Sequence, residues 1–399
     1  MALNYKSLLE SYQADPVGTD QNVRKAFKEK AYKPQDVDFG RLFEACFGWQ
    51  AFRDCRNKEL LAHDVFARSL QESAGAVMTT AFQTITQNFV NSTVLEAYDA
   101  PELIFQKLIP TRQSKLRTER IPGIGGLGRV RQHVPEGEPF PLAGVTEEWQ
   151  DTPVTKKYGF RTALTWEAVF FDQTGILVDR ISKLAASDAY DQELAAIQCI
   201  VDRGTGAADA RIGGHRYNYK GSSYASYQAT TPYVNIKTSN TLLDYTDIEN
   251  TELLFDAMTD PTTGLVTGAF RAASTQILVP TSLVHTAKQI LHATQLRMHV
   301  GGYATSGNLG ERSSPNTLQE YQIVSSPLLS AQLETATDWH IGNIGKACEW
   351  IENSPLETKQ APSNSADEFE RDIVMQWRVS RVGAYYVRQP RFLVKSTVA

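Results

Sequence analysis

The sequence predicts an α+β fold in which one long helix is combined with strands from distant parts of the chain. The strongest helical pattern runs from about Gly175 to Asp202, with apolar residues at three- and four-residue spacing. Before that helix, two stretches with strand character flank a tip rich in proline and glycine. After Asn240, short helices alternate with strands, and the chain closes in strands. Together these observations are typical of a mixed helix and sheet fold.

The composition indicates a globular protein with a sizeable core. Of the 399 residues, 42% are hydrophobic and 21% are charged, the balance of folded chains. The net charge of −5 argues against a protein whose main task is to coat nucleic acid, because phosphate binding needs an excess of lysine and arginine. The first 30 residues lack the apolar segment of a signal peptide, and no apolar run approaches the ~18 residues of a membrane helix. We therefore expect a soluble, cytoplasmic protein.

The first 75 residues differ from the rest of the chain in charge density. They hold 11 basic and 11 acidic residues, with short helical patterns at Phe43–Phe47 and Leu60–Leu70. This composition predicts a small, polar, mostly helical module that is weakly tied to the remaining residues. Ala76–Leu95 then predicts a lone helix or an extended arm, and Pro101–Leu108 a short helix that ends before Pro110.

A long hairpin is predicted next. Arg129–Val134 and Thr155–Leu164 have strand character, and Pro135–Gly144 between them carries three prolines and two glycines. The flanks alternate charged with small apolar residues, so neither face buries much within its own subunit. Because an isolated two-stranded ribbon is only marginally stable in water, we expect this hairpin to lie on a neighbouring copy of the chain.

The long helix predicts a buried face and a polar face. Trp166–Asp172 gives a short helical signal before it, and Gly204 is a stop signal after it. At 1.5 Å per residue the helix is roughly 40 Å long. The apolar face consists of Leu177, Ile181, Leu184, Ala185, Leu194, Ile197, Ile200 and Val201, and the polar positions are Asp179, Arg180, Lys183, Asp188, Asp191 and Glu193.

The remaining elements are predicted from local patterns. Residues 204–240 predict loops with short strands. Helices are predicted at Ile248–Met258 and, with an N-terminal cap, at Thr281–Thr294; strands at Thr275–Pro280, Tyr321–Val324, Ile373–Val379, Gly383–Val387 and Arg391–Lys395; and mixed strand and loop at Trp339–Trp350.

Several patterns suggest chemistry but lack its context. Gly123–Gly128 matches a nucleotide-binding glycine motif, yet no apolar strand precedes it and no helix follows. His285, His292 and His299 recur every seven residues, a step of about 10 Å along a helix and too long for one metal ion. The four cysteines, Cys46, Cys55, Cys199 and Cys348, form no metal-binding pair, so we expect reduced thiols. No cofactor, metal site or catalytic residue is predicted.

A tyrosine-rich stretch leaves two interpretations open. Tyr217, Tyr219, Tyr224 and Tyr227 lie among glycines and serines. They would suit either a carbohydrate-binding loop or an adaptable contact loop on a larger assembly, and we favour the second.

The order of these elements resembles the major capsid proteins of tailed phages. The nearest pattern is that of Mu-like head subunits and the HK-ninety-seven-type fold, an architecture that bacterial encapsulins share. The resemblance covers about residues 76–396. It is carried by Val134–Glu138, Thr165–Asp179, Ala366–Ile373 and Arg388–Pro390.

The resemblance implies a division of the chain. It gives an N-terminal arm and linker at 76–125, an extended loop at 126–160, a peripheral domain with the spine helix at 161–204, an axial domain at 205–340, and a return to the peripheral domain at 341–399. Residues 1–75 would be a scaffold-like segment, which many members of this class remove during maturation.

The resemblance also implies that the extended loop contacts an adjacent subunit. The expected contact residues are Arg129, Arg131, Glu136, Glu138, Phe140, Glu147, Glu148, Lys156 and Lys157. The alternative for each charged member is a solvated surface charge, worth under about 1 kcal/mol. Some shells of this class are locked by a covalent Lys–Asn bond; Lys156 and Lys157 are loop lysines, but no partner is identified and we do not expect the bond.

The resemblance therefore implies a structural subunit rather than an enzyme. Copies of the chain would form hexamers and pentamers that close into an icosahedral virion capsid, assembled in the bacterial cytoplasm around phage or prophage double-stranded DNA. Portal, scaffold and decoration proteins are further candidate partners, and no membrane is involved. Two alternatives stay open: an encapsulin-type compartment that loads a cargo enzyme, and an unrelated α/β enzyme or carbohydrate-binding protein.

Overall fold

The computed structural model describes most of the chain, in two compact units. The described residues are 5–15, 18–19, 21–23, 25, 39–57, 65, 81–88, 90, 92–94, 103–122, 133–137, 149–165, 174–203, 216–230, 233–259, 264, 266, 269–293, 295–299, 311–316, 318, 321–361 and 373–397. Unit 1 consists of Met1–Ile104, Lys156–Gln192 and Ser354–Val382, and unit 2 of Phe105–Thr155, Glu193–Asn353 and Gly383–Ala399.

The helices and strands come from all parts of the chain. The helices are α1 (Tyr5–Ala14), α2 (Phe39–Arg56), α3 (Phe105–Leu108), α4 (Thr174–Val201), α5 (Tyr245–Ala257), α6 (Ala269–Ala273), α7 (Val284–Leu291), α8 (Pro327–Gln332) and α9 (Ile344–Ala347). The strands are β1 (Thr111–Gln113), β2 (Arg120–Pro122), β3 (Trp149–Asp151), β4 (Lys156–Thr165), β5 (Arg216–Tyr219), β6 (Ser222–Ala225), β7 (Ile236–Thr238), β8 (Gln276–Leu278), β9 (Gln295–His299), β10 (Glu311–Pro315), β11 (Gln322–Val324), β12 (Trp339–Gly342), β13 (Cys348–Gln360), β14 (Ile373–Val387) and β15 (Leu393–Thr397). The mixture confirms the predicted α+β class.

The N-terminal helices belong to the core of unit 1. Helix α1 has only ten residues and α2 is interrupted at Gly48, where φ is 90°, so both are marginal alone and gain most of their stability from packing an apolar face. Their buried residues share one cluster with the helical residues 81–88, with α4 and with β14. The expectation that residues 1–75 are weakly tied to the rest is therefore wrong for the described part. The cluster comprises Leu9, Tyr12, Val23, Phe39, Leu42, Phe43, Cys55, Val65, Ala81, Phe82, Ile85, Val90, Val94, Ile181, Ala185, Trp377 and Val379.

The long helix is confirmed to within one residue at each end, at Thr174–Val201. Its predicted apolar face is confirmed at Ile181, Ala185, Ile197, Ile200 and Val201, which are all buried.

Two positions of the long helix depart from the predicted faces. Leu184 is 43% exposed although its spacing predicts burial, and Glu193 is fully buried although it was assigned to the polar face. The Glu193 carboxylate accepts hydrogen bonds from the backbone N–H groups of Phe105 at 2.8 Å and Gln106 at 3.0 Å. These bonds occupy free donors at the start of α3 and so explain a buried charge. Trp166–Asp172, predicted to precede the helix, lie outside the described residues.

Unit 2 contains a mixed five-stranded sheet in the order β11-β8-β12-β15-β7. Strand β12 runs antiparallel to both β8 and β15, whereas β11 and β7 pair in parallel at the edges. Helix α5 packs its apolar face against this sheet and starts with a capping box formed by Asp244 and Asp247. Their common core comprises Leu242, Ile248, Phe255, Met258, Phe270, Ile277, Val279, Ala287, Ile290, Tyr321, Trp339, Ile341 and Val394.

Three local predictions need correction. The chain at Thr281–Leu283 forms a 3-10 turn before α7, and neither start has a side-chain cap. Helix α7 ends at Leu291, so His299 lies on β9 and the three regularly spaced histidines do not share one helix. The two predicted strands at 373–379 and 383–387 are one continuous strand, β14, because Gly383 interrupts the side-chain pattern without ending the backbone pairing.

The tyrosine-rich stretch is a hairpin packed into unit 2. Lys220 and Gly221, with φ of 48° and 78°, form the two-residue turn between β5 and β6. Tyr217 and Tyr227 are buried, and the Tyr227 hydroxyl donates to the carbonyl of Ile200 at 2.6 Å. Both proposed roles, carbohydrate binding and an adaptable contact loop, are therefore wrong for these two residues.

Gly342 fixes the approach of β12 to β15. Its φ is 148°, and a β-carbon placed there would clash with the carbonyl oxygen of Phe392. Gly221 also has a positive φ, but a β-carbon there meets no atom within 4 Å. A side chain at Gly342 therefore meets both backbone strain and a steric clash, whereas a side chain at Gly221 meets backbone strain alone.

The G342A variant should lower the free energy of unfolding by about 2–4 kcal/mol, because strain and clash add in a buried sheet. The G221A variant should cost only about 1 kcal/mol, since strain alone operates. Urea denaturation of the unassembled subunit measures both. Equal losses for the two variants would contradict the close approach described for Gly342.

Candidate inter-subunit contact surface

Most of the segment predicted as the extended loop, 126–148 of 126–160, lies in sequence between two short antiparallel strands. Strand β2 pairs with β3, so that Pro122 lies opposite Trp149 and residues 123–148 form the connection between them. The predicted hairpin strands were 129–134 and 155–164. Residues 129–132 lie outside the described part, and β4 lies next to β14 in its sheet. Both strands of the described pair, 120–122 and 149–151, therefore lie N-terminal to the predicted ones.

Buried contacts hold the two strands at the root of the loop. The Gln150 side chain is buried and donates to the carbonyl of Val387 at 2.6 Å. Ile121 packs in a small apolar cluster with Ile351 and Tyr386. These residues can anchor β2 and β3 because their side chains are buried in unit 2.

An exposed ion pair adds to the root. The Arg120 guanidinium lies 3.0 Å from the Asp151 carboxylate and 5.0 Å from the centre of the Trp149 ring. Both charged side chains are exposed, so the pair contributes less to stability than the buried contacts do.

Three of the nine predicted contact residues are described, and all three are exposed. Glu136 lies in a turn with Gly137, whose φ is 88°. Lys156 and Lys157 are the first two residues of β4. In the part of the chain that the structure describes, none of the three forms an ion pair. The other six, Arg129, Arg131, Glu138, Phe140, Glu147 and Glu148, lie outside the described residues.

Residues 114–119 form a second exposed feature, which the sequence did not predict and which we call the clamped loop. The Asn353 side-chain amide donates to the carbonyls of Ser114 at 3.1 Å and Leu116 at 2.7 Å. The Thr155 N–H donates to the carbonyl of Arg117 at 3.1 Å. These bonds satisfy the backbone of an exposed segment and fix its shape. No sequence pattern marks it, because Asn353 and Thr155 are remote in the chain.

The same loop is fixed at its two ends. Ser114 donates its N–H to the carbonyl of Glu352 at 2.9 Å. Glu119 and Thr152 bond to each other twice, through Glu119 N–H to Thr152 Oγ1 at 2.8 Å and Thr152 N–H to the Glu119 carbonyl at 2.9 Å.

A buried polar cluster lies in the five-stranded sheet. The Lys395 ammonium, on a side chain only 6% exposed, lies 3.0 Å from the Glu334 carboxylate and 3.3 Å from that of Asp338. His340 is fully buried, and its ring centre lies 5.3 Å from that of Tyr227. The pKa of His340 is lowered to about 3, first by burial and then by the nearby Lys395 charge, while Asp338 opposes the shift.

The buried cluster supports the sheet rather than a reaction. Asp338, His340 and Lys395 are enclosed in the core of unit 2, where a substrate in solution does not reach them. Among the described residues there is no group of three metal-ligating side chains, and all four cysteines are free. None of the described helices is long and apolar enough to cross a membrane.

The unfolding free energy should fall as the pH decreases from about 6.5 towards 3. Unfolded His340 binds a proton with a pKa near 6.5 and the folded form only near 3, so in this window the unfolded state binds more protons. The contribution is up to about 1.4 kcal/mol per pH unit. Urea titrations of the wild-type subunit and H340L at several pH values measure it. An identical pH slope for both proteins would contradict a buried neutral histidine.

The described parts include a 28-residue helix, a strand pair on either side of residues 123–148, and a sheet completed by the last strand of the chain. A family model described as "Phage capsid protein" matches residues 149–396, which is more than half of the chain. The chain therefore belongs to the phage capsid protein family. It is a structural subunit that forms a capsid shell, and this favours a phage capsid over the encapsulin alternative.

Solved structures from several phages contain chains with limited similarity to this one. The capsid protein of cyanophage P-SCSP1u is 15% identical with a TM-score of 0.43, over 74% of this chain and 88% of the other. Bacteriophage PhiM1 mature capsid is 12% identical, TM-score 0.42, over 74% and 87%. Mycobacterium phage Cain is 13% identical, TM-score 0.41, over 77% and 90%. No curated protein sequence matches the chain.

Proposed function

We propose that the chain is the major capsid protein of a tailed phage or prophage. Copies join as hexamers and pentamers and close an icosahedral shell around double-stranded DNA, assembled in the cytoplasm of the bacterial host. Membership of the phage capsid family supports the shell. Contacts between unlike surfaces of neighbouring copies would close first into rings and then into the shell.

The observation that carries the proposal is the rooted extended loop. Buried contacts of Ile121 and Gln150 hold its ends on unit 2. Between those ends, the 26 residues 123–148 include six glycines, three prolines and six charged residues, and their large apolar residues are separated from one another. Such a segment is stabilised when another surface covers it. We propose that this surface belongs to an adjacent copy.

The proposed contacts include both signs of charge. Arg129, Arg131, Lys156 and Lys157 are basic, and Glu136, Glu138, Glu147 and Glu148 are acidic, with Phe140 as an apolar member. Complementary charges of this kind select the register of an interface and speed its formation.

As a capsid subunit, the chain would meet packaged DNA and other virion proteins. The net charge of −5 suits a shell that holds DNA without binding it tightly, so the DNA contact would be non-specific. Portal, scaffold or decoration proteins would occupy the outer or vertex surfaces.

Residues 1–75 are proposed to act as part of the subunit rather than as a removable scaffold. Leu42 and Phe43 are fully buried in the cluster that also contains Phe82, Ile85 and Trp377. Removal of the segment would expose those apolar side chains to water, at roughly 25 cal/mol per Å² of apolar surface.

A loop deletion tests the proposed role. Because Pro122 and Trp149 lie opposite each other, residues 123–148 can be replaced by a short turn containing Asn-Gly without disturbing β2 or β3. The variant should fold and remain as soluble subunits or capsomers, with a loss of closed shells of at least about tenfold. Negative-stain microscopy and sedimentation measure the particles.

The control carries an Asn-Gly insertion after Gly264, an exposed glycine with a φ of 66° in another part of unit 2, and should form shells. Closed particles of wild-type size and yield from the loop deletion would contradict the role of the loop. A wild-type chain that stays a monomer under all assembly conditions would contradict the proposed function itself.

A further inference from the structure

The clamped loop presents an apolar and basic surface. Leu116 is 58% exposed, and Val154, in the segment that clamps the loop, is 49% exposed. Lys115 and Arg117 flank Leu116 in sequence and are both exposed. Large apolar side chains that are held in an exposed position next to charges are typical of an interaction surface.

The basic charges of this surface are not neutralised within the described residues. Arg112 pairs with Glu119 at 3.2 Å, and Arg120 pairs with Asp151 at 3.0 Å. Lys115 and Arg117 have no acidic partner in the part of the chain that the structure describes. Two unpaired basic groups therefore lie on either side of an exposed leucine.

We propose that the clamped loop, with Val154, is the acceptor surface for the acidic segment of the extended loop of a second copy, around Pro135–Gly137. This inference rests on the proposed function and names the surface that the loop contacts.

Charge and apolar character are complementary between the two segments. Glu136 is exposed and has no basic partner among the described residues. Glu138 and Phe140 come after it in sequence. The acceptor offers two basic groups and two exposed apolar groups, and the donor segment offers two acidic groups and an aromatic one.

The clamp itself suits an acceptor. The hydrogen bonds from Asn353, Thr155 and Thr152 fix the backbone of residues 114–119 before any partner binds. A surface that is already ordered loses little conformational entropy on association. The Lys115, Leu116 and Arg117 side chains form no hydrogen bond within the described part of the subunit, so their substitution should leave the fold intact.

A charge reversal and its compensation test the pairing. The K115E/R117E variant places acidic groups on the acceptor, and E136K/E138K places basic groups on the donor segment. Each variant should repel its own copies and form closed shells at least about tenfold less well than wild type. The combined variant K115E/R117E/E136K/E138K restores opposite charges and the natural net charge. It should recover shell formation to within about threefold of wild type.

The control is K6E/K288E, which reverses two exposed basic groups elsewhere and changes the net charge as much as K115E/R117E does. It should assemble as wild type. Thermal unfolding of each unassembled subunit should match wild type to within a few degrees, which separates a lost contact from a lost fold. Particle yield is measured by sedimentation and negative-stain microscopy.

Each outcome decides the inference. Normal shells from K115E/R117E, or failure of the combined variant to recover them, would overturn it. The proposed function fails in a different way, through absence of shells from the wild-type chain, and the acceptor surface falls with it. Shells from the wild type and the control, loss in both double variants, and recovery in the combined variant support the acceptor surface.

Discussion

The pairing of β2 with β3 is the constraint on which the proposed assembly depends. It brings two segments far apart in sequence side by side, with Pro122 opposite Trp149. The pair is too short to be stable alone. It is stable because β3 also pairs with β5, Gln150 donates to the carbonyl of Val387 and Ile121 packs with Ile351. The two ends of residues 123–148 are thus held at a defined place.

Elsewhere in the protein, buried polar groups also fix the positions of neighbouring elements. Glu193 is a fully buried carboxylate whose two oxygens each receive a backbone N–H of α3. Lys395 is enclosed near Asp338 and Glu334. Burying such groups costs free energy unless they are paired, so each contact admits one arrangement of its partners. His340, kept neutral by burial, makes the stability of the sheet lobe sensitive to acid. In the clamped loop the paired groups are neutral. The Asn353 side-chain amide donates to the carbonyl of Leu116, and the Thr155 N–H donates to the carbonyl of Arg117.

Prediction from the sequence was most accurate where apolar residues recur at a regular spacing over many residues. Helix α4 was predicted within one residue, because many turns of apolar spacing leave little choice of period. Helix α5 and strands β8 and β11 were also predicted, from shorter apolar patterns. The N-terminal helices were recognised, yet their shared core with Phe82 and Trp377 was not, since burial depends on residues remote in sequence. The charged loop residues were selected through the family resemblance and their position in the loop. Glu136, Lys156 and Lys157 are exposed, and their contact role stays a prediction.

By itself the sequence determined the α+β class, the long helix and the family resemblance, because each depends on local periodicity or on the order of elements along the chain. Only the tertiary structure decided which strands close the extended loop, that Glu193 is buried and Leu184 is exposed, and that Tyr217 and Tyr227 belong to the core. It also decided the shape of the clamped loop. The physical reason is common to all of these: hydrogen-bond pairing and burial are made between residues far apart in the chain, and a local pattern does not specify its distant partner.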